Sequence, residues 1–332
     1  MIQHNRLLWQ KITQASEKID QAQSAQELLK IAESMREITP LQFDRRDYLI
    51  YFGADLLLFI TGFFLYREKG EGFFLFLLML AFFIAIILAV RFYRREKLPK
   101  QLSEKIFYRD LLFDNQITPI DPNVLPVSDL LQRFREFDRG NYRREIPELL
   151  KGSIDIGLTS IPFYYFHFHY VDEEIVEEKG SDGKPKNRKI YHHYHRYGLL
   201  LDPKFLKDNE CPLLQITADR YLKERKSDYL PASLAFRKRF SLYTSEQHFA
   251  AKILTPTIVE QLLIQSEEFK NMNIELNQQL LIAFDSRDLM HAQQNYDLQH
   301  LDAFIAELQE KRELPQLQKI IPLIKNLLSQ LK

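Results

Sequence analysis

Four histidines carry the sharpest chemical signal in this chain. His167 and His169 stand two apart in a segment dense in Tyr and Phe, and His193 and His195 stand two apart in the next such segment. Residues two apart in a strand share a sheet face, so a hairpin centred on Ser181 sets His167 opposite His195 and His169 opposite His193. Neutral imidazole nitrogens gathered in this way ligate zinc and other borderline metals. The pattern therefore gives one reading of function, a metal-binding protein or metal-dependent hydrolase. The strands expected over Pro162–Val171 and Ile190–Leu201 add no Asp, Glu or Cys to the set, and a one-residue slip in register would break the pairing. The competing expectation is an aromatic sheet surface on which the histidines are ordinary amphipathic members.

The other chemical groups are weaker. Asp55 lies inside an apolar segment, where an ionisable residue marks proton or ion handling; the ordinary reading is a near-interface aspartate that is protonated or packed. Asp285, Asp288 and His291 fit one helical face at a helix start, and Arg237, Lys238 and Arg239 form a small basic spot read as a strand edge. The single cysteine, Cys211, rules out an internal disulfide and sits in no thiolate-stabilising motif. There is no Gly-rich phosphate loop, Gly-x-Ser-x-Gly elbow, His-Glu-x-x-His or Cys-x-x-Cys pattern. No catalytic residue is assigned on this basis, and the reading leans away from an enzyme.

The elements that must position these groups begin with two apolar segments, Tyr48–Tyr66 and Phe73–Val90, of 19 and 18 residues. About 20 apolar residues cross a hydrocarbon core of about 30 Å, so the pair predicts a transmembrane hairpin around the short loop Arg67–Gly72. Arg45, Arg46, Arg91, Arg94, Arg95, Lys97 and Lys100 flank the spans, against Arg67 and Lys69 in the loop. Basic flanks stay cytoplasmic, which predicts both termini on the cytoplasmic side, with the lipid bilayer as one partner and a protein, or a second copy, as another. Ala81, Ala85 and Ala89 would allow close helix packing. Lys plus Arg equals Asp plus Glu at 45 each; this balance argues against a general nucleic-acid binder, which needs surplus positive charge.

Residues 1–40 read as two helices, the second opened by a Ser24/Glu27 capping box. Residues 101–290 read as a cytosolic α+β domain on a mainly antiparallel sheet, with helices over Ser103–Phe113, Val127–Phe137 and Thr257–Phe269. Strands are expected near Ser153–Leu158, at Pro162–Val171, Ile190–Leu201, Leu213–Thr217, Phe240–Tyr243, Ile274–Leu276 and Leu280–Phe284, with Asp172–Lys189 a long charged hairpin tip. Residues 291–332 close the chain with two helices divided near Pro315. The stretch from Phe236 through Leu242-Tyr243-Thr244-Ser245 to Leu254-Thr255-Pro256, with Tyr197-Gly198-Leu199 and the alternation Ile274–Phe284, resembles the bacterial family domain-of-unknown-function 3137. The resemblance implies two membrane helices followed by a cytosolic α+β domain, and carries no catalytic residues. The leading expectation is a membrane-anchored binding, scaffold or sensor module.

Overall fold

A computed structural model describes residues 2–70, 72–157, 159–179, 185–203, 211–222, 229–286 and 288–331. The chain combines helices with an antiparallel sheet and divides into two compact units, Met1–Asp114 with Gln293–Arg312, and Asn115–Ala292 with Glu313–Lys332. This division cuts across the boundaries read at 40, 101 and 290.

The first unit is helical. In α1 (Ile2–Gln21), Leu8, Ile12, Ala15 and Ile19 are buried at helical spacing. Helix α2 (Ala25–Ser34) begins at Ser24, whose hydroxyl accepts the Glu27 N–H at 3.4 Å. The Glu27 carboxylate accepts the N–H of Gln23 at 2.9 Å, one residue before the cap. Two helices, α3 (Arg46–Lys69) and α4 (Gly72–Asp114), are long and apolar enough to cross a membrane. They pack along their length: Tyr48 meets Phe92 with ring centroids 5.3 Å apart, and Gly62 lies against Leu78. The expected six-residue loop contracts, because α3 runs on to Lys69 and ends on Gly70 in the left-handed region at φ 65°, where glycine carries no steric penalty.

Helix α4 does not stop at the end of its apolar run. It continues through Pro99 to Asp114, so the separate helix expected over Ser103–Phe113 is the lower part of one 43-residue helix. The physical reason is an unbroken inner face: Leu102, Ile106, Phe107 and Leu111 are all buried, and Pro99 removes only one backbone donor. Lys105 Nζ donates to Ser16 Oγ at 2.8 Å and pairs with Asp20 at 2.7 Å, tying α4 to α1. Arg95 is buried, donates to the Asp44 carbonyl at 3.0 Å, and lies 4.2 Å from the Tyr48 ring centroid.

Asp110 sits in this helical interior, and burial, with the charge of Asp114, pushes its carboxyl up to about 7. Its unfolded value is about 3.9, so between about pH 4 and pH 7 the folded chain holds a proton the unfolded chain has lost. Stability then falls as pH rises through that window, by about 4 kcal/mol at most from this group. Asp110→Asn is expected to flatten this fall and raise the denaturation midpoint at pH 8; an unchanged pH profile would exclude Asp110 as its source.

The second unit is built on an eight-stranded sheet of order β1-β2-β3-β4-β8-β7-β5-β6, every neighbouring pair antiparallel. The strands are β1 (Thr118–Pro119), β2 (Arg143–Ile156), β3 (Thr159–Lys179), β4 (Pro185–Leu201), β5 (Leu214–Thr217), β6 (Ser241–Thr244), β7 (Asn273–Leu276) and β8 (Leu280–Phe284). Asp172–Lys189 is therefore mostly strand rather than loop, its centre at 180–184 lying outside the described residues. Glu173 pairs with Lys189 at 3.0 Å and Glu178 with Arg188 at 3.0 Å, so charge that suggested a solvated loop serves as cross-strand pairing. One sheet face is covered by α5 (Val127–Arg133) and the short 3-10 turn Arg135–Phe137. There Leu130, Phe134 and Phe137 bury Phe166, Phe168 and Tyr170. Leu234–Arg239 is a short helix opened by Ser233, so the basic spot at Arg237, Lys238 and Arg239 lies on a helix and not on a strand edge.

Candidate functional site: a histidine face and a buried ion network

The strand pair β3–β4 sets the histidines on one face. His169 lies opposite His195, Val171 opposite His193 and His167 opposite Tyr197, a register displaced by two residues from the expected one. A shift of two keeps every side chain on its face, and the rings meet on the diagonal. His167 Nε2 lies 2.9 Å from His195 Nδ1, and His169 Nε2 lies 3.0 Å from His193 Nδ1. The side-chain pairs are thus the expected ones although their backbone partners differ. The His169 and His193 rings are nearly parallel, at 6°, and His167 stacks on Tyr197 with centroids 4.6 Å apart. His193 and His195 are exposed, while His167, His169 and Tyr197 are half-buried.

A carboxylate that the sequence reading did not place here completes the array. Strand β2 brings Glu145 opposite His169 and Glu148 opposite His167, with a bulge between them. Glu145 Oε1 is 2.8 Å from His169 Nδ1. With Nδ1–H of His169 donating to the carboxylate, its Nε2 is left as an acceptor for Nδ1–H of His193. The hydrogen bond from His169, joined by one from Arg143, holds the Glu145 carboxyl below the usual range. Burial, then the neighbouring His169 and His193, lowers His195 and favours its neutral form. Among the described residues, no three His, Cys, Asp or Glu side chains are arranged to hold one metal ion together. Glu145 and Glu148 escaped detection because Pro147 and the bulge hide the period-two alternation of Arg143–Lys151.

The face of β4 opposite its histidines carries, at Arg196, a buried ion network. Glu136 Oε1 accepts from Arg196 Nε at 2.6 Å, and Oε2 accepts from Arg139 Nη2 at 3.1 Å and from Asn273 Nδ2 at 2.9 Å. Arg139 also donates to Asp219 at 2.6 Å, and Arg196 to Asp285 and to the Asn271 carbonyl. Burial raises the Glu136 carboxyl, but Arg139 and Arg196 more than offset it and its pKa falls. Glu275 accepts the backbone N–H groups of Arg135 and Glu136, each at 2.8 Å. Burial nevertheless pushes it up to about 7, the charge of Glu136 adding to the rise. This network pins the Arg135–Phe137 turn to β7, which is a structural task.

The remaining groups fall out as follows. Asp55 is buried in α3, 9% exposed, and its Oδ1 has no hydrogen-bond partner among the described residues. Ala81 is buried, Ala85 half-buried and Ala89 exposed. Asp285 follows β8 and binds Arg196 and Asn271, so no helical face joins it to His291; the side chain of Asp288 lies outside the described residues. Arg237, Lys238 and Arg239 occupy a helix's last turn, with Arg239 donating to Ser266 at 3.2 Å. Cys211 is half-buried, and burial raises its thiol, away from a reactive thiolate.

The fold and these sites define an α+β protein with two helices of membrane-crossing length. Comparison with protein-family models, with curated proteins and with solved structures gives no match.

Proposed function

We propose that this chain is a membrane-anchored interaction module, with the α3–α4 hairpin seated in a bacterial inner membrane, both termini cytoplasmic, and the sheet unit offering a binding surface to a protein partner or a second copy. The observation that carries this is the outward apolar surface of the hairpin: Leu49 is 69% exposed, Leu57 67%, Phe73 62% and Phe83 61%. So large a contiguous apolar surface calls for cover by lipid or protein. The continuity of α4 supports a sensor or scaffold role, because a single helix joins the apolar run to the packed helices of the first unit. The order of elements also supports kinship with domain-of-unknown-function 3137.

The test uses the full chain in a bacterial host. The protein is expected to stay in the membrane pellet after alkaline carbonate washing. An impermeant maleimide should label Glu68→Cys in intact spheroplasts and reach Cys211 only after lysis. Release by carbonate, or labelling of Cys211 in intact spheroplasts, would overturn the reading.

A further inference from the structure

We propose that the histidine face binds divalent ions of the late first-row metals, nickel(II) or copper(II), one at His169 Nε2 with His193 Nδ1 and one at His167 Nε2 with His195 Nδ1. Two imidazole nitrogens each about 2.0–2.1 Å from one ion lie about 2.9 Å apart when the ligands meet at a right angle, and about 3.4 Å apart in a tetrahedron. The two cross-strand separations are 2.9 and 3.0 Å. They match adjacent positions of a square-planar or octahedral ion, the geometries of copper(II) and nickel(II), better than tetrahedral zinc. Each ion takes two protein nitrogens and completes its shell with water, which agrees with the lack of any three-ligand cluster among the described residues.

Three further features prepare the first pair. Glu145 takes the Nδ1 proton of His169 at 2.8 Å, which fixes the tautomer and leaves Nε2 as a lone-pair donor; a carboxylate behind a ligating imidazole is the usual supporting arrangement. His193 is exposed, so its ring is able to turn its lone pair off the N···N line and onto an ion, its own proton passing to Nε2 at the solvent side. The nearby carboxylate of Glu145 supplies negative charge for the incoming cation. Binding therefore replaces one hydrogen bond between neutral rings with two metal–nitrogen bonds, with no net loss of a proton from the protein.

The test is equilibrium dialysis and calorimetry of the untagged, detergent-solubilised full chain against nickel chloride, and copper(II) electron paramagnetic resonance on the same sample. Two ions per chain are expected, each with a two-nitrogen signature. His193→Gln should lower the count to one, and the His193→Gln/His195→Gln pair to zero. Both positions are exposed, and circular dichroism would verify that the variants stay folded. Glu145→Gln should weaken one of the two ions about 10- to 100-fold and spare the other. Absence of nickel and copper uptake at 100-fold molar excess, or equal uptake by the double variant, would overturn the proposal. The result is independent of membrane anchoring, which the carbonate and labelling experiment decides separately.

Discussion

Arg196→Met is expected to destabilise the chain by about 3–5 kcal/mol, the cost of leaving buried charges without their partner. Arg196 is 2% exposed and serves Glu136, Asp285 and the Asn271 carbonyl together. Methionine fills much of the same volume, so the loss is electrostatic: among the described residues Glu136, itself fully buried, keeps Arg139 and Asn273 as side-chain partners. Denaturant titration followed by circular dichroism measures it, with Arg188→Met as the comparison. Arg188 pairs with Glu178 on the surface at 3.0 Å, and exposed pairs contribute about 0–1 kcal/mol. A drop for Arg196→Met no larger than that for Arg188→Met would show that the network is not holding the turn.

Gly198→Ala is expected to cost about 3 kcal/mol, the upper part of the range for overpacking a filled interior. A Cβ at this position would lie 2.2 Å from the Ile282 carbonyl oxygen, 2.7 Å from Phe166 Cζ and 3.0 Å from Ala283 Cα. Two of those neighbours are backbone of the adjoining strand and have no rotamer to change. Strand β4 is interior to the sheet, paired to β3 on one side and β8 on the other, so the clash is relieved only by separating β4 from β8. Hydrogen exchange at Leu199 and Leu201 should quicken, and the thermal midpoint should fall by several degrees. By contrast Gly53→Ala, with nothing within 4 Å, is expected to leave stability unchanged or slightly raised, because alanine favours a helix. A Gly198→Ala protein melting with the parent would show that β4 and β8 are less closely paired than the register implies.

Much of this architecture is written in local pattern. The period of Leu8, Ile12 and Ile19, the Ser24 cap, the two apolar runs and the strands at Leu214–Thr217 and Leu280–Phe284 follow from spacing alone, because each depends on neighbours within a turn or a pleat. The common face of the four histidines was legible for the same reason: the two-residue period survives any even shift of register. Tertiary structure decided what those residues meet. Glu145 reaches His169 across 24 residues of sequence, past a bulge that conceals its parity. Arg196 stands between His195 and Tyr197 in an exposed-looking alternation, yet it is buried, because α5 and the Arg135–Phe137 turn cover its side of the sheet. Its partner Glu136 is 60 residues away. No local propensity encodes such a pairing. The fold creates it when a covering segment excludes water and leaves the charges only one another to bind.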